Sequence, residues 1–286
     1  MVQEFHYEIS WRARSPYPGH HRGVHGGAGF EFRGHAPLLA APDPRRLDIH
    51  ASLRDPFERW LVRIYSQRSS IRLFLVADLS ASMGFHGTRR KLDVLAALCV
   101  SAGYSAYRTG DAFGFIGCDD RVRADFLQPP TRAKGAGAAL ARRLQAFAPT
   151  GRAVDGLLDT AEYLGRQRAL VLLASDFHFP LELLARVLEG LARHHVVPVV
   201  IWDRGEFAQL PRFGFALVQD SETGMRRTVF LRAGLREKIA QAFEARRAAL
   251  THVFHEYGVE PLFLTEGFHA DLFTDYFLRR QAGGGG

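Results

Sequence analysis

Asp78, Ser80 and Ser82 alternate within the stretch VADLSASMGF, residues 76–85, and alternate residues of an extended loop project to one side. One carboxylate and two hydroxyls then converge, a set of hard oxygen donors suited to magnesium or another divalent cation. Magnesium takes six oxygens in a near-octahedral array and usually keeps some waters. Three protein ligands of low total charge would leave the ion partly open, so that an acidic side chain from another protein could complete its shell. The same residues also allow a plainer arrangement, in which Ser80 and Ser82 cap the next turn and Asp78 accepts backbone N–H groups. Either way Asp78 ends an apolar run, residues 71–77, and a carboxylate at the buried end of a strand needs a cation or a hydrogen-bond donor facing it.

Those residues need a scaffold. From Ile71 onward apolar strands alternate with amphipathic helices, the pattern of an α/β domain with a mainly parallel central sheet and helices on both faces. After IRLFLVAD comes a helix expected over residues 88–108, with Thr88 capping its start and Gly110 its end. DAFGFIGC is the next strand, and RVRADFL its antiparallel edge partner. Helices are expected over 131–147 and 153–167, then the strand ALVLLAS, which again stops on an acid, Asp176. A helix opened by Pro180, the strand VVPVVIW, a hairpin of FALVQD and RRTVFL turned by SETG, a long helix over 232–257, the strand PLFLT and a helix over 272–280 complete the order. Ligands of open α/β sheets bind beyond the C-terminal strand ends, which places Asp78 and Asp176 in one crevice. His194 and His195 close a helix, where positive charge is favoured beside the last carbonyls.

Residues 1–66 are dense in Gly, Pro and His and poor in periodic apolar residues, so they read as an N-terminal arm packed on the main domain of residues 67–280. The closing QAGGGG, 281–286, reads as a flexible tail. Arg46, Asp48 and Arg54 are expected to pin arm to domain as an ion-pair cluster. The chain carries 37 basic and 30 acidic residues, a net charge of +7, yet its only lysines are Lys91, Lys134 and Lys238. That balance favours acidic partners. Nucleic acid is disfavoured, because no helix-turn-helix, zinc-finger or aromatic-rich basic motif accompanies the charge. Arg132, Lys134, Arg142 and Arg143 on one helix read as a solvated face. His20, His21 and His25 read as loop histidines, and HVFHE lacks the zinc-protease spacing. Cys99 and Cys118 are expected as buried thiols in a reducing compartment. With no leader peptide at the N-terminus and no stretch of membrane-spanning length, a cytoplasmic protein is expected.

VADLSASM resembles the metal-ion-dependent adhesion site of von Willebrand factor A domains. PRRLDIHASLRDPFERWLVRIYSQR, GGAGFEF, GDAFGF, LLASDF, WDRGEFAQLPRFGFALVQDSETG and FLRR are similar, in order and spacing, to the bacterial family catalogued as domain of unknown function 58, and the likeness covers nearly the whole chain. The resemblance implies a Rossmann-like von Willebrand factor A fold. It also implies a non-catalytic adaptor for MoxR-type AAA+ ATPases, which assemble or activate metalloenzymes and complexes; some members accompany methanol oxidation genes. The implied metal ligands are Asp78, Ser80, Ser82 and Asp176.

One departure bears on that site. The family's second metal loop reads Gly-Gly-Thr, whereas PTGRAVDGLLDTA places Arg152 at the threonine position. Arginine cannot ligate magnesium, is always charged and matches carboxylate geometry. Arg152 is therefore expected to reach Asp78 or Asp176, replacing part of the ion's charge and leaving a weak or metal-free site, with Thr150 as ligand after a small loop shift being the alternative. The arm also lacks an expected Arg-x-Tyr at residues 34–38 and carries His50 where an aromatic is expected. A hydrolase is the competing class, since aspartyl-nucleophile phosphatases place their acid after a similar first strand. Those enzymes need a second acid two residues on, where this chain has Ser80, and no Gly-x-Ser-x-Gly elbow is present.

Overall fold

The computed structural model describes residues 3–15, 17–207, 214–219, 226–231 and 233–283. The chain divides into two compact units, Glu8–Ile71, and Met1–Tyr7 together with Arg72–Gly286. In the smaller unit β1 (Pro18–Pro37) pairs antiparallel with β2 (Leu61–Ser69), and α1 (Ile49–Leu53) lies between them in sequence. Several ion pairs join residues within the unit. Arg46 binds Asp43 at 3.1 Å, and Asp48 binds Arg63 at 2.8 Å and His35 at 3.0 Å. Arg54, expected in the same cluster, is exposed and makes no ion pair among the described residues. The boundary falls at Ile71 rather than at residue 66, and the first seven residues belong to the larger unit. There Phe5 N–H donates to Ser105 Oγ at 3.0 Å, its ring meets Phe273, and the Tyr7 hydroxyl donates to Asp111 Oδ2 at 2.5 Å.

The larger unit runs β3 (Arg72–Asp78), α2 (Lys91–Thr109), β4 (Ala112–Cys118), β5 (Val122–Thr131), α3 (Ala136–Ala146), α4 (Gly156–Leu164), β6 (Leu170–Ser175), α5 (Leu181–Leu191), β7 (His195–Ile201), α6 (Arg204–Phe207), β8 (Gly214–Gln219), β9 (Arg226–Leu231), α7 (Ala233–Glu256), β10 (Leu262–Leu264) and α8 (Ala270–Gly283). A six-stranded sheet has the order β10-β7-β6-β3-β4-β5, parallel except for edge strand β5. The side chains of β4 and β6 are all buried, as are those of β3 beyond Arg72, as required of strands covered on both faces. Pro198 is tolerated inside β7 because it pairs with Leu173 on one side, while β10 begins its pairing only at Val199. The fold is the α/β class expected. Because β3 is followed by β4 on one side and joined by β6 on the other, the sheet reverses its winding between β3 and β6, where such folds open a crevice.

Several boundaries move for identifiable reasons. β5 runs through Thr131, so α3 starts at Ala136, and Gly165 with φ +71° ends α4 at Leu164. The α2 helix starts at Lys91 rather than Thr88, and Gly110 in the left-handed conformation ends it as expected. His194 and His195 do not carry helix-end charge: α5 ends at Leu191 and His195 opens β7. Burial pushes both imidazoles down to about 4. On α3 and its approach the basic side chains lie over aromatic rings, Lys134 over Tyr107 and Arg143 over Phe126. Both cysteines are free and buried. The α8 helix continues through residues 281–283, the start of the stretch expected as a tail. The SETG turn, Arg232 and the side chain of His25 lie outside the described residues.

Candidate functional site

β3 and β6 pair in register from Leu73 opposite Leu170 to Ala77 opposite Ala174, so the residues that follow them emerge together. Asp78 is fully buried. Its Oδ1 accepts the Ser80 N–H at 2.8 Å and its Oδ2 accepts the Ser175 hydroxyl at 2.6 Å. Ser175 Oγ in turn accepts the Phe177 N–H at 2.9 Å. Ser80 Oγ lies 3.1 Å from Ser82 Oγ, and Ser82 hydrogen-bonds the Asp176 carboxylate. Burial first, then the charge of Asp176, pushes the Asp78 carboxyl up to about 6 against the pull of its hydrogen bonds.

The counter-charge is Lys91, the first residue of α2. Its buried ammonium stands 2.8 Å from Asp176 Oδ2 and 2.6 Å from Glu206 Oε1, with the Phe85 ring centroid 5.5 Å away. Burial alone would lower the Lys91 pKa, but the two carboxylates outweigh it and raise the value above that of an ordinary lysine. For Asp176 burial is the largest influence and pushes upward, yet Lys91, His178 and Ser82 together hold the carboxyl below its usual range.

A second layer of residues fixes this arrangement. Asp203, two residues beyond β7, accepts the backbone N–H groups of Thr88 at 2.8 Å, Arg89 at 2.9 Å and Gly205 at 2.7 Å. Its carboxylate packs so close to Gly87 that a Cβ there would lie 2.2 Å from Oδ1. This clamp holds the loop before α2 out of helical conformation and sets the helix start at Lys91. Asp203 N–H donates to Glu206 Oε2 at 3.0 Å, aiming the other oxygen at Lys91. The Trp202 indole N–H donates to the Asp176 carbonyl at 2.8 Å, and its ring stacks on His178 at an interplanar angle of 4°. Phe177 has φ +53°, a conformation that costs a non-glycine residue about 1–3 kcal/mol. It is held there by the Ser175 hydroxyl, by Arg246 from α7 bonded to its carbonyl at 3.2 Å, and by a ring buried edge-on against Phe254.

Beyond the strand tips opens a crevice of about 460 Å³ lined by Ser80, Ser82, Gly151, Arg152, Asp176, His178, Glu182 and Arg186, among others. Of the expected site residues Ser80, Ser82, Asp176 and Arg152 meet here, with Asp78 directly behind. Arg152 does not act as expected, since it is exposed and makes no ion pair with Asp78 or Asp176; Lys91 already neutralises Asp176, and both oxygens of Asp78 are engaged. Thr150 is exposed and does not line the crevice. The neighbouring Gly151 meets the serine loop instead, accepting the Ala81 N–H at 2.7 Å.

A divalent ion does not fit this donor set as it stands. Magnesium would have to displace Lys91, whose ammonium holds Asp176 Oδ2 at 2.8 Å. Lys91, Glu206, Ser175, His178, Trp202 and Asp203 were not identified as site residues from sequence. A signal for the first existed: in a chain that uses arginine almost throughout, a lysine opens an otherwise apolar helix face shared with Leu95 and Leu98.

Residues 42–249 match the family described as "Protein of unknown function DUF58". A relative from Paracoccus denitrificans, described as "Uncharacterized protein in moxR 3'region", is 38% identical over 102 residues, which is 36% of this chain and 97% of the relative. An uncharacterized protein of Mycobacterium bovis is 26% identical over 253 residues, covering 86% of this chain and 78% of its own. Among solved structures, BatB from Bacteroides thetaiotaomicron aligns with a TM-score of 0.43 at 11% identity over 75% of this chain and 100% of that one. The VWA domain of SpRpn10 aligns with a TM-score of 0.38 at 14% identity, over 71% of this chain and 93% of that one. The family match spans well over half of the sequence, and the chain belongs to the DUF58 family.

Proposed function

We propose that this chain is a non-catalytic, protein-binding adaptor that works with a MoxR-type AAA+ ATPase in the assembly or activation of a metalloenzyme or complex. Its partner is received in the crevice beyond β3 and β6. The observation that carries this reading is the buried Lys91–Asp176–Glu206 cluster, which neutralises Asp176, the acid at the tip of β6, from within. The outward cations of the crevice, Arg152 and Arg186, make no ion pair among the described residues. They are placed to take up a carboxylate of an incoming segment, with Lys91 standing in for the divalent charge of an adhesion site. Support for the ATPase comes from the Paracoccus denitrificans relative, named for its place 3' of moxR. No described helix is long and apolar enough to cross a membrane.

A hydrolytic reading finds less support. Asp78, the candidate nucleophile, is fully buried and has a hydrogen-bond donor on each oxygen, and Ser80 stands where a phosphatase needs a second acid. The test is binding of a purified MoxR-type ATPase to the immobilised chain. Arg152→Glu with Arg186→Glu should weaken it about tenfold or more, as truncation of a central interface arginine does. Binding unaffected by the reversals, or turnover of p-nitrophenyl phosphate by wild type that Asp78→Asn abolishes, would overturn the proposal.

A further inference from the structure

The smaller unit carries an apolar surface at one end of its hairpin. Pro37, the last residue of β1, pairs with Leu61, the first of β2. Leu38 N–H donates to the Trp60 carbonyl at 2.7 Å, Asp48 N–H to the Leu61 carbonyl at 2.8 Å, and Leu61 N–H to Ser52 Oγ at 2.8 Å. These bonds bring the turn after β1, the α1 helix and the loop before β2 to the same place. From that place Leu39, Ile49, Leu53, Phe57 and Trp60 are 58–97% exposed. Single exposed apolar residues are ordinary, but five large ones on locally bonded backbone are the composition of an interface centre, where Trp, Phe and arginine concentrate.

The charges around this end are sorted. Asp43, Asp48 and Asp55 are spent on Arg46, Arg63 and Arg59, while Arg45 and Arg54 are exposed without an ion pair among the described residues. Over the stretch Glu8–Ile71 ten arginines face six carboxylates and no lysine is present. Glu58, at the tip between Phe57 and Trp60, has φ +53°, one of the two non-glycine residues among those described in the left-handed region; the other, Phe177, stands at the crevice. Such outliers concentrate at functional sites.

From this pattern we propose that the end of the smaller unit is a docking surface in addition to the crevice, for a partner segment that presents apolar side chains flanked by carboxylates. A second copy of the chain is disfavoured because an isologous contact would set Arg45 and Arg54 against like charges. A lipid surface is disfavoured because Glu58 would be carried into it between the two aromatic anchors. The chain would then hold two partners at once, as an adaptor must.

The test uses the full chain and two synthetic amphipathic helices, one of leucine and glutamate and one of leucine and lysine, with binding followed by calorimetry. The glutamate peptide should bind, with the lysine peptide about tenfold weaker. Measured in an Arg152→Glu, Arg186→Glu background, where the crevice no longer takes up a carboxylate, Leu53→Ser with Phe57→Ser, or Arg45→Glu with Arg54→Glu, should each weaken the glutamate peptide by about tenfold. Should the serine pair alter the thermal melt, the charge reversals alone decide. Equal binding of both peptides, binding indifferent to these substitutions, self-association on sedimentation that Phe57→Ser abolishes, or co-sedimentation with phosphatidylglycerol vesicles would each overturn the proposal.

Discussion

Lys91 shows how much a single side chain can decide. Its ammonium is the only described cation within ion-pair reach of Asp176, and it is buried with it. Removing one partner of a buried pair strands the other, at a cost of about 3–5 kcal/mol. Lys91→Met should therefore lower unfolding free energy in urea by that amount, and adding Asp176→Asn and Glu206→Gln should restore most of it, because neutral side chains of the same shape need no counter-charge. A triple variant no more stable than Lys91→Met would show that the cluster is not an electrostatic unit. The same residue governs metal. Calorimetry with magnesium should register no uptake by wild type and uptake by Lys91→Met, whose acids are left without a cation; tight binding by wild type would remove Lys91 from the role proposed for it. At this scale the acids were legible, because a carboxylate ending an apolar run declares its need for a partner. The partner was not, because Lys91 and Asp176 are far apart in sequence and Arg152 offered a nearer cation of the right type.

Elements were legible in kind, since period-two and helical apolar patterns mark buried strands and helix faces whatever surrounds them. Their ends depended on distant groups. Thr88 is a good helix cap by type, but the Asp203 carboxylate takes its N–H and that of Arg89, and nothing local announces a residue that distant. Asp203→Ala should release the amides of Thr88, Arg89 and Gly205, so that hydrogen exchange at these three accelerates ahead of those in the body of α2; unchanged protection there would mean the clamp is incidental. The start of β7 gives a second case. Burial holds His194 and His195 down to about 4, and His194 Nδ1 accepts the Ala169 N–H at 3.3 Å. An unfolded histidine titrates near about 6.5, so the unfolded chain binds more protons over the interval between, and stability contributed above about 6.5 is lost as pH falls toward about 4. Asp78, held up at about 6, acts in the opposite sense over this interval, while Asp176, held below the usual carboxylate range, loses its contribution only at lower pH. Comparison of wild type with His195→Val isolates the histidine contribution. The variant should lose stability less steeply across this range in urea midpoints, and parallel curves would refute it.

At the scale of the molecule, the change of composition put the boundary at residue 66, whereas the chain divides at Ile71 and the first seven residues fall on the far side of the division. The first seven residues are bound into the larger unit, where Phe5 meets Phe273. No local pattern could pair residues so far apart in sequence. The two units also differ in what holds them. The β3 and β6 strands are buried on both faces at the centre of a six-stranded sheet. The smaller unit rests on a two-stranded pairing, with register shifts along β1, and an isolated pair of strands is of marginal stability in water. Cooperative units of unequal burial open at unequal free energies. Native-state hydrogen exchange at rising urea should resolve two groups of amides. Those of residues 73–77 and 171–174 should exchange only with global unfolding, and those of 61–64 through a separate opening of lower free energy. Single substitutions divide the groups further: Leu173→Ala, which cuts into the buried sheet, should lower the first by about 2–5 kcal/mol while moving the second much less. One merged isotherm, responding as a whole to Leu173→Ala, would mean that the units fold and open as one body. A docking surface on the smaller unit could not then order its own segment without cost to the sheet that carries the crevice.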